Sequence, residues 1–212
     1  MARIVKAEAE GALAEAVDVL RHGGVVAYPS DTVYGLGAAA NDARAVERIF
    51  AVKNRDAEKA LSLLLADAAD LTPLCSDVPL LGRVFAERYW PGPLTLVLRR
   101  SPALESAALG GGDTVAVRVP DHPFLRELLR ALGEPITGTS ANRSGRPACR
   151  TAQEVEQELG DAVDLIIDGG PSAAGPESTV VSLTGSLPVV LREGPISRVD
   201  IERLGRTGMA TA

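Results

Sequence analysis

The sequence predicts a single-domain α/β protein built on a twisted, mixed β-sheet flanked by helices. Three observations carry that reading. Strand-like runs alternate with amphipathic stretches of helical period, the pattern of an α/β sheet. Three strand-like runs then gather near the end of the chain, which calls for antiparallel as well as parallel pairing. Finally, the 212 residues exceed a typical domain of about 150 by less than half, and no linker, repeat or low-complexity tract divides them.

The elements follow in order. Residues 10–22 place Leu13, Ala16, Val17 and Leu20 at helical spacing, and Gly23-Gly24 ends the helix. Val25–Tyr28 reads as a short buried strand stopped by Pro29. Asn41 or Asp42 caps a second helix with Ala45, Ile49 and Val52 on one face and Lys53 at its C-terminal end. Leu61–Leu65 is strand-like, and Asp67 suits a following cap. Pro79 opens a helix over residues 79–89, in a favoured first-turn position. Strands are expected at Thr95–Leu98 and Thr114–Val119, then a helix over 122–132 stopped by Gly133, then a strand at Pro135–Thr137. Thr151 and Glu154 make a capping box for a helix to Leu159. Val163–Ile167, Thr179–Leu183 and Val189–Leu191 are the closing strands. The domain is drawn at residues 1–205, with residues 206–212 as a small polar tail expected to fray.

Composition removes several function classes. Apolar residues at 46% and charged residues at 24% exclude a disordered chain. A net charge of −6 excludes nucleic-acid binding by bulk charge, leaving only a local patch. Aromatics at 3% are too few for a base-stacking platform. No apolar run approaches the ~18 residues that span a bilayer, and Met1-Ala2-Arg3-Ile4 leads into polar sequence, so a cytoplasmic protein without a membrane role is expected. Two Cys and two His show no metal-ligand spacing, so no protein-held metal is expected.

Three stretches between regular elements could carry chemistry. Pro29–Gly37 follows a strand and offers Ser30, Asp31 and Thr32 at the edge where open α/β sheets bind ligands; on its own it reads more readily as a turn using its hydroxyls locally. Lys53 and Arg55, with Lys59 beyond, converge on an anion only if the helix ends near Lys53 and the chain turns out at Asn54; otherwise they form a solvated basic helix end. Thr137–Arg146 packs hydroxyls, an amide, two glycines and two arginines into ten positions, a candidate anion cradle or an ordinary polar loop. The Walker spacing is absent. Arg118 inside an apolar strand is either a buried guanidinium needing an anion or an outward residue. Arg192 after a strand is equally ambiguous, and Ser178 after Gly175-Pro176 reads as a turn residue.

These segments together resemble the YrdC family of threonylcarbamoyl-AMP synthases. The resemblance rests on Ser30-Asp31-Thr32-Val33-Tyr34-Gly35-Leu36, Lys53-x-Arg55, Trp90-Pro91-Gly92-Pro93-Leu94-Thr95, Val117-Arg118-Val119-Pro120, Thr139-Ser140-Ala141-Asn142-x-Ser144-Gly145, Glu177-Ser178-Thr179-Val180 and Leu191-Arg192-x-Gly194. It implies the family fold, a large concave ligand cavity, and the short form of the enzyme. The implied reaction joins L-threonine, bicarbonate or carbon dioxide, and ATP into L-threonylcarbamoyl-AMP and pyrophosphate. That product feeds modification of the tRNA adenosine beside the anticodon, through downstream transfer proteins. The family's catalytic set falls on Lys53, Arg55, Ser140 and Asn142. ATP contacts fall on Arg55, Lys59, Thr114, Ser140 and Arg192, and threonine contacts on Thr32, Arg118, Gly138 and Ser178. Mg²⁺ is implied with ATP, and no tightly bound organic cofactor. Ser30, Ala60, Leu64 and Gly138-Thr139 depart from the commonest family residues; Leu64 stands where longer relatives carry a threonine-contacting His. Two alternatives stay open: an RNA-binding module of the same fold, gripping transfer or double-helical RNA with Arg143, Arg146 and Arg150, and a paralogue acting on another carbamate-like substrate.

Overall fold

The computed structural model describes residues 2–173 and 175–210. Its strands are β1 Arg3–Lys6, β2 Val26–Tyr28, β3 Gly35–Gly37, β4 Ser62–Leu64, β5 Leu94–Arg99, β6 Thr114–Arg118, β7 Ile136–Ser140, β8 Leu165–Asp168, β9 Thr179–Ser182 and β10 Val189–Arg192. Its helices are α1 Ala12–Arg21, α2 Ala43–Lys53, α3 Leu80–Tyr89, α4 Pro123–Leu132, α5 Ala152–Leu159 and α6 Arg198–Ala210. All ten strands join one sheet in the order β1-β8-β2-β3-β7-β4-β6-β5-β9-β10. Parallel pairs such as β4–β6 and β5–β9 alternate with antiparallel ones such as β4–β7 and β5–β6, so the sheet is mixed, as the sequence predicted.

Strand alternation sorts the side chains between two cores. Leu61, Leu63, Leu65, Leu94, Leu96, Val115, Val117 and Val181 pack with Ile49 of α2, Phe85 of α3, Val155 of α5 and Ile201 of α6. Val26, Tyr28, Leu64, Ile136, Leu165 and Ile167 face the other way, onto α1 and α4. In α4 the buried residues Phe124, Leu125, Leu128, Leu129 and Leu132 form one stripe, each side chain contributing about 1.5–3 kcal/mol on burial. Four helices cover the first face and only two lie on the second. The second face is therefore open over part of the sheet, and there Ser62, Thr95, Ala116, Arg118, Gly138, Ser140 and Val180 line a hollow.

Several local expectations hold at the level of atoms. Asp42 caps α2 by accepting from the backbone N–H of Arg44 and Ala45. His122 precedes Pro123 at the start of α4, and Gly133 closes it with φ 81°. Other features differ. Pro79 is the cap of α3 and the helix begins at Leu80. The Thr151 hydroxyl accepts from the Glu154 N–H, but the Glu154 carboxylate reaches back one residue further, to the Arg150 N–H, so the box is only half formed. Strand β7 extends to Ser140, which moves Gly138 and Ser140 from a loop onto the sheet. Strands β1 and β3 lie where no strand was expected, and α6 runs across the boundary drawn at residue 205. Residues 211–212 of the expected tail lie outside the described residues.

Strand β3 explains two glycines. The Tyr28 ring lies directly on the backbone of Gly35 and Gly37, where any Cβ would overlap it. Its hydroxyl donates to the Thr137 carbonyl at 3.1 Å, tying β2 across β3 to β7.

Candidate active site

The hollow is a cavity of about 1350 Å³. Single small-molecule sites usually occupy roughly 300–1,000 Å³, so the space suits two ligands side by side. Lys53, Arg55, Lys59, Ser140, Asn142, Thr32, Arg118, Gly138, Ser178 and Arg192 all line it. Thr114 does not. It shares the face of β6 that carries Ala116 and Arg118, but it sits beyond Ala116, at the strand's first residue, where its backbone pairs with Arg99.

The Lys53–Arg55 turn solves the spacing problem noted in the sequence. Asn54 adopts the left-handed conformation, φ 49°, and the Asn54 and Arg55 N–H groups bond to the Ala51 and Phe50 carbonyls at 3.1 and 3.0 Å. This is a Schellman ending with Asn in the usual glycine position. It sends Lys53 inward and brings Arg55 to the cavity from outside the helix. Lys53 is only 2% exposed. Its ammonium donates to the Ser140 carbonyl at 2.5 Å, the Asn142 carbonyl at 2.7 Å and Asn142 Oδ1 at 3.1 Å, so all three protons are engaged within the protein. The Asn142 amide donates in turn to the Arg146 carbonyl at 2.5 Å. Burial, with repulsion from Arg55, lowers the Lys53 pKa to about 8. Lys53 and Asn142 thus hold the β7 end and its loop in shape.

Arg118 anchors a second corner. It is 7% exposed, and Nε donates to the Gly92 carbonyl at 2.9 Å, Nη1 to Thr32 Oγ1 at 3.2 Å and Nη2 to Asp31 Oδ1 at 2.5 Å. The Trp90–Pro93 turn presents that carbonyl, with Trp90 Nε1 donating to the Leu94 carbonyl at 2.6 Å. Sheet register sets Leu64 beside Arg118 on β4, and the Leu64 side chain lies against Gly138. Nearby, Ser178 and Thr95 share a hydroxyl–hydroxyl bond of 2.8 Å. In the Pro29–Gly37 segment, which the sequence alone reads more readily as a turn, Ser30 Oγ donates to the Val33 carbonyl at 2.6 Å. Local turn chemistry and a place on the cavity wall therefore coexist there.

The rim is more open. Arg55 donates to the Lys59 and Ala60 carbonyls, both at 3.1 Å, closing the loop that follows α2, and burial lowers its pKa. Lys59 is exposed. Arg192 donates to the Ser178 carbonyl at 3.0 Å and Ser178 Oγ at 3.2 Å, and pairs with Glu177 at 2.5 Å. The basic patch of the RNA-binding alternative is charge-balanced in part, since Arg146 pairs with Glu158 at 3.0 Å. Among the described residues no three carboxylates, imidazoles or thiols group as metal ligands. Cys75 and Cys149 are free and buried, and among the described residues no helix is long and apolar enough to cross a membrane.

Sequence reasoning offered Asp31 only as one of three polar side chains at the ligand-binding edge and gave no role to Thr95 or Glu177; these are the partners of Arg118, Ser178 and Arg192. Each stands within a quoted motif, but its partner lies far along the chain, 87 residues away for Asp31 and 83 for Thr95.

A mixed sheet with one face half-roofed, and cations and hydroxyls lining the gap, defines an α/β protein with a large polar cavity on one sheet face. Residues 18–194 match the family model described as "Telomere recombination", the Sua5/YciO/YrdC family. The chain belongs to that family. It is 42% identical to the threonylcarbamoyl-AMP synthase of Bacillus subtilis over 191 residues, 90% of this chain and 55% of that one. With the threonylcarbamoyl-AMP synthase of Vibrio cholerae it shares 44% over 162 residues, 76% of this chain and 86% of that one. The crystal structure of Pyrococcus abyssi Sua5 complexed with L-threonine superimposes with a TM-score of 0.90 at 40% identity, covering 96% of this chain and 60% of that one. The chain therefore spans little more than half of the longer relatives and most of the shorter one.

Proposed function

We propose that this chain is a threonylcarbamoyl-AMP synthase, a nucleotidyltransferase joining L-threonine, bicarbonate and ATP. The observation that carries this reading is that one large cavity is lined by two kinds of group, which meet where Arg192 donates to Ser178 Oγ. A buried guanidinium with hydroxyls (Arg118, Thr32, Ser178) suits an amino acid, while Arg55, Lys59 and Arg192 around Ser140 suit a polyphosphate. Named relatives at 42–44% identity support the reaction, and the threonine complex of P. abyssi Sua5 supports the amino-acid end.

The chemistry has two steps. The threonine amine attacks the carbonate carbon; a proton leaves nitrogen, water departs, and a carbamate remains. A carbamate oxygen then attacks the α-phosphorus, and pyrophosphate carries away the bonding pair. We assign the amine proton to a carbonate or phosphate oxygen. Arg55, Lys59 and Arg192 draw the anions together and stabilise charge on the departing pyrophosphate. Arg118, Thr32 and Ser178 hold threonine in line, supplying effective molarity. Mg²⁺ would enter with ATP, held by phosphate oxygens. The product would pass to proteins that modify tRNA.

The test is pyrophosphate release with Mg-ATP, bicarbonate and L-threonine. Release should require threonine, and a threonylcarbamoyl adenylate should be found by mass spectrometry. Equal release without threonine would overturn the assignment.

A further inference from the structure

Asp31 takes no part in the chemistry proposed above, yet its carboxylate is 2.5 Å from the Arg118 guanidinium with both side chains almost wholly buried, at 13% and 9% exposure. Its second oxygen, Oδ2, is buried and has no hydrogen-bond partner among the described residues. A buried acceptor left unpaired is costly and calls for a reason. Arg118 has five N–H donors; three are engaged by Gly92, Thr32 and Asp31. Two remain for a ligand, enough for the two oxygens of one carboxylate.

The cavity must also keep its ligands apart. An amino-acid carboxylate and a triphosphate are both anions, and a bare buried guanidinium would attract the more highly charged one. Paired with Asp31, Arg118 keeps its directed donors but presents little net charge at a distance, because opposite charges in contact act as a dipole. A zwitterion with its own ammonium tolerates the nearby carboxylate; a polyphosphate does not. Among the cations assigned to polyphosphate, Lys59 is exposed, and the carboxylate paired with Arg192, Glu177, is 35% exposed, so solvent screens it as it does not screen Asp31.

We infer that Asp31 is a positioning and charge-sorting residue: it fixes Arg118 for an amino-acid carboxylate and keeps polyphosphate off that end of the cavity. This rests on the reading that the cavity takes both ligands. The test is calorimetric titration of L-threonine into the parent protein, Asp31→Asn and Asp31→Glu, each with and without sodium tripolyphosphate. In the parent, tripolyphosphate should change the threonine Kd by less than twofold. In Asp31→Asn the threonine Kd should rise tenfold or more, and tripolyphosphate should raise it at least fivefold again, as a competitor. Asp31→Glu, which keeps the charge but displaces it, should weaken threonine without admitting that competition. This variant also carries the test if Asp31→Asn fails to fold. Threonine binding by Asp31→Asn equal to the parent's overturns the inference, as does weakened binding with no new competition, or competition in Asp31→Glu. A parent protein that binds no threonine at all would instead overturn the proposed function.

Discussion

Two sets of cations share one cavity and differ in what their charge serves. Lys53 and Arg118 are buried at 2% and 7% exposure, and their donors go first to the protein: Ser140 and Asn142 for one, Gly92, Thr32 and Asp31 for the other. Lys59 is exposed at the rim, Arg55 is half-buried and closes the loop after α2, and Arg192 is exposed although it bonds Ser178 and pairs with Glu177. Residue type alone suggests five equivalent anion ligands. Burial and hydrogen bonding separate them into groups that shape the pocket and groups that meet what enters it.

The sharpest way to break that division is to remove one member of each set. Lys53→Ala should lower turnover by about 10²-fold or more, and it should also lower stability by about 2–4 kcal/mol, because three buried acceptors lose their donor. Arg55→Ala should cost a similar factor in turnover with stability within about 0.5 kcal/mol of the parent. Pyrophosphate release and urea titration on the same samples check both; equal stability losses would erase the distinction. A smaller effect is expected at the threonine end. Ser178→Ala should raise the threonine KM about tenfold, a hydrogen-bond-sized loss, with kcat little changed, and an unchanged KM would remove Ser178 from the amino-acid site.

The smallest effect is read against pH. Folding lowers the Lys53 pKa from 10.5 to about 8, so between those values the unfolded chain holds a proton that the folded chain lacks. Lys53 thus adds a positive slope to unfolding free energy against pH across that window. Lys53→Met should flatten the slope in urea titrations from pH 8 to 10. Turnover should move the opposite way, declining as pH rises through about 8, since a neutral amine can serve only two of the three acceptors.

Much of this was legible beforehand, for identifiable reasons. Long apolar stripes such as α4 and capped starts such as Asp42 state their structure locally. Strand β3 does not, because Gly-Leu-Gly has little strand propensity and forms only with Tyr28 beneath it and β2 and β7 on either side. Edge strand β1 is short and partly exposed, and α6 carries few apolar residues, so neither shows a clear period. The cavity residues were recognisable as motifs, but their division of labour was not. Whether Lys53 faces a phosphate or the Ser140 carbonyl is decided by the conformation of Asn54 and by where β7 ends.

The placement of β8 bears on how the protein is made. This strand, Leu165–Asp168, hydrogen-bonds to β1 on one side and β2 on the other, so the first two strands of the chain are joined only through it. On a ribosome adding about 5–20 residues per second, β1 must wait for some 160 residues of translation before it has a neighbour. Such long-range closure slows folding. Strand β1 is thus a latch, fastened only after β8 has been made.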